Sequence, residues 1–176
     1  LGLYRRYKKN YEGRRMKKVA FVGSSEKWWM PYQRDEATEY IISTLRGYGI
    51  IEKHQQGKPD DDWREYVTVV SGGCPYGGVD IWAEVIAISL GIKKEIYNPR
   101  ASGWKYYKER NILIAENCDV LHCIEPEWVE GMEYNKRYMG TGLKSVGRFC
   151  RRSGGIWTME YAQKEGVETH LEVISV

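Results

Sequence analysis

The sequence predicts an α/β fold, a three-layer α/β/α domain built on a mainly parallel five-stranded sheet. Three observations carry that expectation. Apolar or β-branched runs of strand length alternate with segments of helical period along the chain. Glycine-bearing loops fall where strand hands over to helix, as in βαβ units. The length of 176 residues suits one domain and is short for two.

The elements follow in order. Lys17-Lys18-Val19-Ala20-Phe21-Val22-Gly23 has the pattern of a short buried strand closed by glycine. A loop opens at Ser24 and Ser25, and residues 34–48 carry Ala37, Ile41, Ile42 and Leu45 on one helical face. Pro59 and Asp60-Asp61-Asp62 mark a surface loop, in which a cation site is weighed below solvated carboxylates. Residues 66–71 form the strongest strand, β-branched through its middle. The run Gly72-Gly73-Cys74-Pro75-Tyr76-Gly77-Gly78 leads into a helix over 79–90, stopped by Gly91. A short strand at 95–97, a helix over 104–117 and a strand at 119–124 come next. Gly154 and Gly155 precede a helix ending at Glu165 before Gly166, and residues 169–176 supply the last strand. The right-handed crossover rule then places helices on both faces, a Rossmann-like arrangement.

Residues 1–16 are expected to form a basic tail and residues 17–176 one domain, interrupted by an insertion at about 125–152. Up to Lys18 the chain has eight basic residues against Glu12 alone, a net +7, so the rest carries −4 within the overall +3. A basic arm suits nucleic acid or an acidic partner, and equally a solvated tail. The insertion starts acidic (Glu125, Glu127, Glu130, Glu133) and turns basic (Lys136, Arg137, Lys144, Arg148, Arg151, Arg152). Hydrophobic residues at 42% exclude wholesale disorder. The longest uncharged run, residues 66–79, has 14 residues with four glycines, too short and broken to span a bilayer. No leader pattern stands at the N-terminus, so a cytoplasmic protein without membrane contact is expected. Cys74, Cys118, Cys123 and Cys150 show no metal-ligand spacing, and His122 between two of them would point to the opposite face of a strand. No metal site is expected, and the cysteines are expected to be reduced thiols.

In open α/β sheets, ligands bind outside the carboxyl ends of the strands, near a switch in strand order. Gly23-Ser24-Ser25, residues 72–78 and Gly154-Gly155 all fall at that edge. A helix starting after such a loop turns its free N–H groups toward an anion, and phosphate is the natural guest. The spacing Gly73-x4-Gly78 is followed by Val79-Asp80 instead of Lys-Ser/Thr, so a P-loop is excluded, and G-x-G-x-x-G is absent.

Three ordered stretches resemble the SLOG superfamily, which includes YspA-like proteins, the DprA Rossmann domain and LOG lysine-decarboxylase-like proteins. They are Ser71-Gly72-Gly73-Cys74-Pro75-Tyr76-Gly77-Gly78-Val79-Asp80 with Ala83 and Ala87, then Trp104 leading to Lys108-Glu109-Arg110-Asn111 and Asn117-Cys118-Asp119, and finally Ser153-Gly154-Gly155-Ile156-Trp157-Thr158 with Tyr161-Ala162. The likeness covers about residues 17–124 and 153–174. It implies a Rossmann-like pocket for a nucleotide or nucleotide-derived ligand; a binding module acting as a sensor is the first reading, and a homo-oligomer is expected. On that resemblance, Gly72, Gly73, Gly77 and Gly78 line the phosphate and Asp80 caps the loop or takes a ribose hydroxyl. Arg110 pairs with phosphate, Asn111 contacts base or ribose, and Gly154, Gly155 and Thr158 close the other wall.

Two departures bear on chemistry. Ile156 stands where the family usually has threonine. The LOG motif P-G-G-x-G-T-x-x-E is incomplete, because Met159 occupies the place of its glutamate and Glu160 comes one residue late. LOG catalysis is therefore not carried over. An enzyme that cleaves an N-glycosidic bond, of phosphoribohydrolase or nucleoside deoxyribosyltransferase type, remains the alternative. It needs a carboxylate at the anomeric carbon, and Asp80, Glu109 and Glu160 are the candidates. A second alternative is DprA-like binding of single-stranded nucleic acid through the tail, the insertion and stacked aromatics, of which the chain has 7 Trp and 14 Tyr. Trp28 and Trp29 are placed either to stack on a base or to pack beneath the loop. Trp82 is expected in the core, and His54 and His170 show no partner in the sequence.

Overall fold

Alternating side chains on strands of parallel pairing need cover on both faces, and the chain supplies it with helices. The computed structural model describes residues 15–127 and 153–175. Among these, β1 (Lys17–Gly23), β2 (Val67–Ser71), β3 (Lys93–Ile96), β4 (Val120–Pro126) and β5 (Glu168–Ile174) form one sheet in the order β3-β2-β1-β4-β5. Every neighbouring pair is parallel. Helices α1 (Pro31–Gln55) and α2 (Val79–Leu90) cover one face; α3 (Trp104–Glu116) and α4 (Gly154–Lys164) cover the other. The chain winds outward from β1 through β2 to β3, then returns to place β4 on the other side of β1. Crossovers of one hand require the helices to change faces at that reversal.

The pleat sorts each strand between the two layers. Val19 and Phe21 join Val69, Val120, Ala37, Ile41, Leu45 and Ala83 on the α1/α2 side. Ala20 and Val22 join Leu121, Cys123, Ile114, Ala115, Ile156 and Ala162 on the α3/α4 side. Cys118 and Cys123 thus lie in one layer, while His122 faces the other against Phe21, at 5.5 Å between ring centroids.

The element boundaries move for identifiable reasons. α1 runs well past the expected 34–48. Pro31 sits at its start, where a missing N–H costs nothing. Gly49 is an interior packing position and no stop, since a Cβ there would lie 2.5 Å from the Trp63 carbonyl oxygen. Tyr66 belongs to a single 3-10 turn before β2, buried, with its hydroxyl donating to Asp61. Asp62 caps that turn by accepting from the Arg64 N–H, so two of the three clustered acids organise the loop. β3 begins two residues early, at exposed Lys93 and Lys94, because an edge strand needs no apolar signal.

β4 corrects the largest misplacement. It continues through Glu125 and Pro126, so the insertion expected from about 125 cannot begin before residue 127. Residues 128–152, with most of the expected insertion and Cys150, lie outside the described residues, as do residues 1–14 of the basic tail. Arg15 is tied to Gln56 by reciprocal hydrogen bonds of 3.0 and 2.6 Å. Lys18 pairs with Glu95 at 2.6 Å. Among the described residues, no helix is long and apolar enough to cross a membrane.

Candidate functional site

The reversal of winding leaves a crevice between the carboxyl ends of β1 and β4, where the following loops part in opposite directions. A cavity of about 390 Å³ occupies it. Its walls come from the loop after β1 (Gly23, Ser24, Ser25, Trp28), the loop after β2 (Cys74, Tyr76, Gly77), and the starts of three helices. These contribute Asp80 from α2, Trp104, Tyr107, Arg110 and Asn111 from α3, and Gly154, Gly155 and Thr158 with the preceding Ser153 at α4.

Close backbone approach makes this crevice possible. A Cβ on Gly23 would lie 2.1 Å from the Ile124 carbonyl oxygen, and one on Gly155 would lie 2.6 Å from the Gly23 Cα. Gly78 combines a φ of 92° with a backbone contact: its added Cβ would meet the Ser24 carbonyl oxygen at 2.3 Å. The loops after β1 and β2 therefore pack directly on each other.

Most expected ligand residues converge on the cavity: Gly23, Ser24, Ser25, Gly77, Asp80, Arg110, Asn111, Gly154, Gly155 and Thr158. Gly72, Gly73 and Gly78 are not among its lining residues. Gly72 accepts a 3.0 Å hydrogen bond from Arg110 Nη1, and the Gly73 N–H donates to Glu84 Oε1 at 3.0 Å. Glu84 also accepts from the Ser71 hydroxyl at 2.6 Å, so α2 holds the end of β2 and its loop. Glu109 pairs with Arg100 at 3.6 Å outside the cavity, and Glu160 is exposed on α4. Of the three carboxylates considered for glycosidic chemistry, Asp80 alone lines the cavity.

Asp80 and Arg110 form a buried pair, Nη1 to Oδ2 at 3.4 Å. Burial pushes the Asp80 carboxyl up to about 6, against the lowering effect of Arg110 and with a further push from Glu84. The guanidinium is held on its remaining sides, with Nε and Nη2 on Asn111 Oδ1 at 3.0 and 2.9 Å. Its fork is thus largely engaged by protein groups instead of standing open for a phosphate. Burial also raises the Cys74 thiol, assisted by the Asp80 charge.

The anion-directed groups are backbone amides. At the start of α4, the Ser153 hydroxyl accepts from the Ile156 N–H at 3.0 Å, leaving the N–H groups of Gly154 and Gly155 without an acceptor among the described residues. The N–H of Asp80 in the first turn of α2 is likewise free among the described residues. Such orphan donors at helix starts favour negative charge.

An aromatic rim surrounds the mouth. Trp104 is 53% exposed and Tyr76 65% exposed. Tyr76 meets Tyr107 edge-on at 6.4 Å, and their hydroxyl contact raises the Tyr107 pKa. Trp104 stands edge-on to Trp157, which stacks on Tyr161 at 5.7 Å with Lys108 over its face. The two alternatives for Trp28 and Trp29 divide between them. Trp28 lines the cavity; Trp29 packs on core Trp82 at 5.0 Å and donates its indole N–H to the Ser24 carbonyl.

Sequence reasoning missed Glu125. It lies beneath the cavity, wholly buried, and accepts hydrogen bonds from the hydroxyls of Ser24 and Ser153, with Cys123 Sγ at 3.7 Å. Burial pushes its carboxyl up to about 7, against the lowering effect of these hydrogen bonds. The available signal was its place at the carboxyl end of a central strand, one residue before a proline. His170 also gained partners: it pairs with Glu168 at 2.9 Å and stacks on His122 at 4.7 Å. Compared with protein-family models, curated proteins and solved structures, the chain matches none.

Proposed function

We propose that the crevice binds a nucleotide or nucleotide-derived ligand, and that the chain belongs with the SLOG-like Rossmann domains it resembles. The observation that carries the reading is the convergence on one cavity of orphan helix-start amides and an aromatic rim. The amides of Asp80, Gly154 and Gly155 suit phosphate, and Trp28, Tyr76 and Trp104 offer faces for a base. The volume of about 390 Å³ falls within the range of small-molecule sites, which begins near roughly 300 Å³. The SLOG resemblance of the glycine loops supports the same ligand class.

The test is a melting-temperature shift against AMP, ADP, ATP, ADP-ribose, NAD, GMP, CMP and a short single-stranded DNA. A ligand at 100 times its Kd stabilises the fold by about 2.7 kcal/mol. One nucleotide is expected to shift the protein, and Trp104→Ala, at an exposed position, is expected to weaken it by about tenfold through lost stacking. No shift with any nucleotide overturns the reading. A shift with DNA alone moves it to the basic tail and the aromatic stripe beside Lys108.

Cleavage of an N-glycosidic bond is the second reading, favoured by Asp80, a buried cavity carboxyl whose pKa of about 6 suits proton transfer near neutrality. It predicts release of free base from the bound nucleotide and loss of that release in Asp80→Asn. Binding without base release, on prolonged incubation, leaves a binding module.

A further inference from the structure

The cavity floor has a layer behind it. Alternation along β4 turns Glu125 to the same side as Leu121 and Cys123, toward α4. Gly155 is pressed against it, since a Cβ there would lie 3.0 Å from Oε1. Glu125 is therefore no wall residue. It acts on the cavity through two hydroxyls that are, Ser24 bonded to Oε2 and Ser153 bonded to Oε1.

A serine hydroxyl has one proton and two lone pairs. With Glu125 ionised, both protons point down into the carboxylate. Ser153 spends one lone pair on the Ile156 N–H, and no donor among the described residues approaches the Ser24 hydroxyl oxygen. What remains for the cavity from these two hydroxyls is acceptor capacity, backed by a buried acid. A phosphate laid against the two hydroxyls would meet lone pairs with a carboxyl group behind them. The helix-start amides offer an anion better company.

We propose that Glu125 is a positioning residue that fixes the polarity of this wall, so that Ser24 and Ser153 accept from a pair of neighbouring ligand hydroxyls, the vicinal diol of a ribose. The proposal rests on the nucleotide reading above and adds the ligand's orientation: diol on the Ser24 and Ser153 hydroxyls, phosphate on the helix-start amides. Glutamine at 125 keeps the shape but brings an N–H donor to one serine. That serine turns its own proton into the cavity and stops accepting from the diol.

The experiment measures the affinities of AMP, GMP and CMP, each beside its 2′,3′-dideoxy form, by calorimetry on the full chain at pH 8, where Glu125 is ionised. The wild type is expected to prefer the diol form by about tenfold to a hundredfold, the loss of two hydrogen bonds. Glu125→Gln is expected to cut that preference to about threefold or less while leaving the dideoxy affinity in place, a change that mere loosening of the fold does not produce. Ser24→Ala and Ser153→Ala are each expected to remove part of it, and they decide the matter if Glu125→Gln does not fold. Equal binding of diol and dideoxy forms overturns the inference and leaves nucleotide binding standing, as does full preference retained in the variants. No binding by any of the six compounds overturns the inference, and the nucleotide reading falls with it only if ADP, ATP, ADP-ribose and NAD also fail to shift the melting temperature.

Discussion

Two acids are buried at this site and are accommodated in opposite ways. On the α2/α3 wall, Asp80 faces a full counter-charge, Arg110, whose other donors hold Gly72 and Asn111. Under the floor, Glu125 has no cation among its partners in the described residues; two hydroxyls and a thiol surround it. A buried charge needs a partner or a proton. Asp80 is supplied with the first, while Glu125, raised further by burial, comes closer to the second. The first wall is consequently a rigid structural clamp, and the second a hydrogen-bond network whose polarity depends on which atom holds a proton.

The largest expected effect breaks the clamp. Arg110→Ala leaves Asp80 buried beside Glu84 with no counter-charge and should destabilise the protein by about 3–5 kcal/mol at pH 8, measured by urea denaturation. The loss should shrink at pH 5, where Asp80 can take a proton. A loss independent of pH would mean that the guanidinium matters only for its bonds to Gly72 and Asn111.

Next is the backbone contact that builds the second wall. Gly155→Ala places a methyl where the Gly23 backbone lies and should cost about 1–3 kcal/mol, with ligand affinity falling alongside. A thermal melt unchanged from wild type would refute the tight apposition of α4 on β1.

The pH dependence sharpens the comparison. Both acids have folded pKa values above their unfolded ones, so the folded state binds more protons between about 4 and 7. Their contribution to stability is complete below that window and is lost as pH rises through it, by at most about 1.4 kcal/mol per pH unit for each group. Glu125→Gln should flatten the upper part of this decline, near pH 7, in denaturation curves taken at successive pH values. His122 acts in the opposite direction. Burial and the neighbouring His170 lower it to about 4, Glu168 opposing, so its neutral form stabilises the fold above the unfolded value of 6.5 and that contribution is lost as pH falls through 4. His122→Gln should therefore soften the acid limb.

The smallest effect is expected at the rim. Arg34 and Glu26 pair at 3.1 Å with both side chains about half exposed, and Arg34→Ala should change stability by less than about 1 kcal/mol. A larger loss would show that the turn after β1 depends on that pair.

The fold was legible in local pattern, because burial on both faces writes itself into runs such as Val67-Thr68-Val69-Val70 and into the spacing of Ala37, Ile41 and Leu45. β3 was displaced because its residues Lys93 and Lys94 lie at a solvated edge. Much of the site was legible too, since glycine loops before helices have a composition of their own. Glu125 was hidden inside an acidic run, where its neighbours in sequence resemble a surface segment. Its partners are Ser24 and Ser153, 101 and 28 residues away.

By itself the sequence determined the alternation of strands and helices, the parallel sheet and the edge where a ligand would enter, all of which follow from short-range periodicity and turn chemistry. Tertiary structure alone decided which loop glycines line the cavity and which serve packing, that Arg110 is engaged by Gly72, Asp80 and Asn111, and that an acid lies beneath two serines. Those outcomes depend on which residues the reversal between β1 and β4 brings together. Distance along the chain carries no record of that proximity.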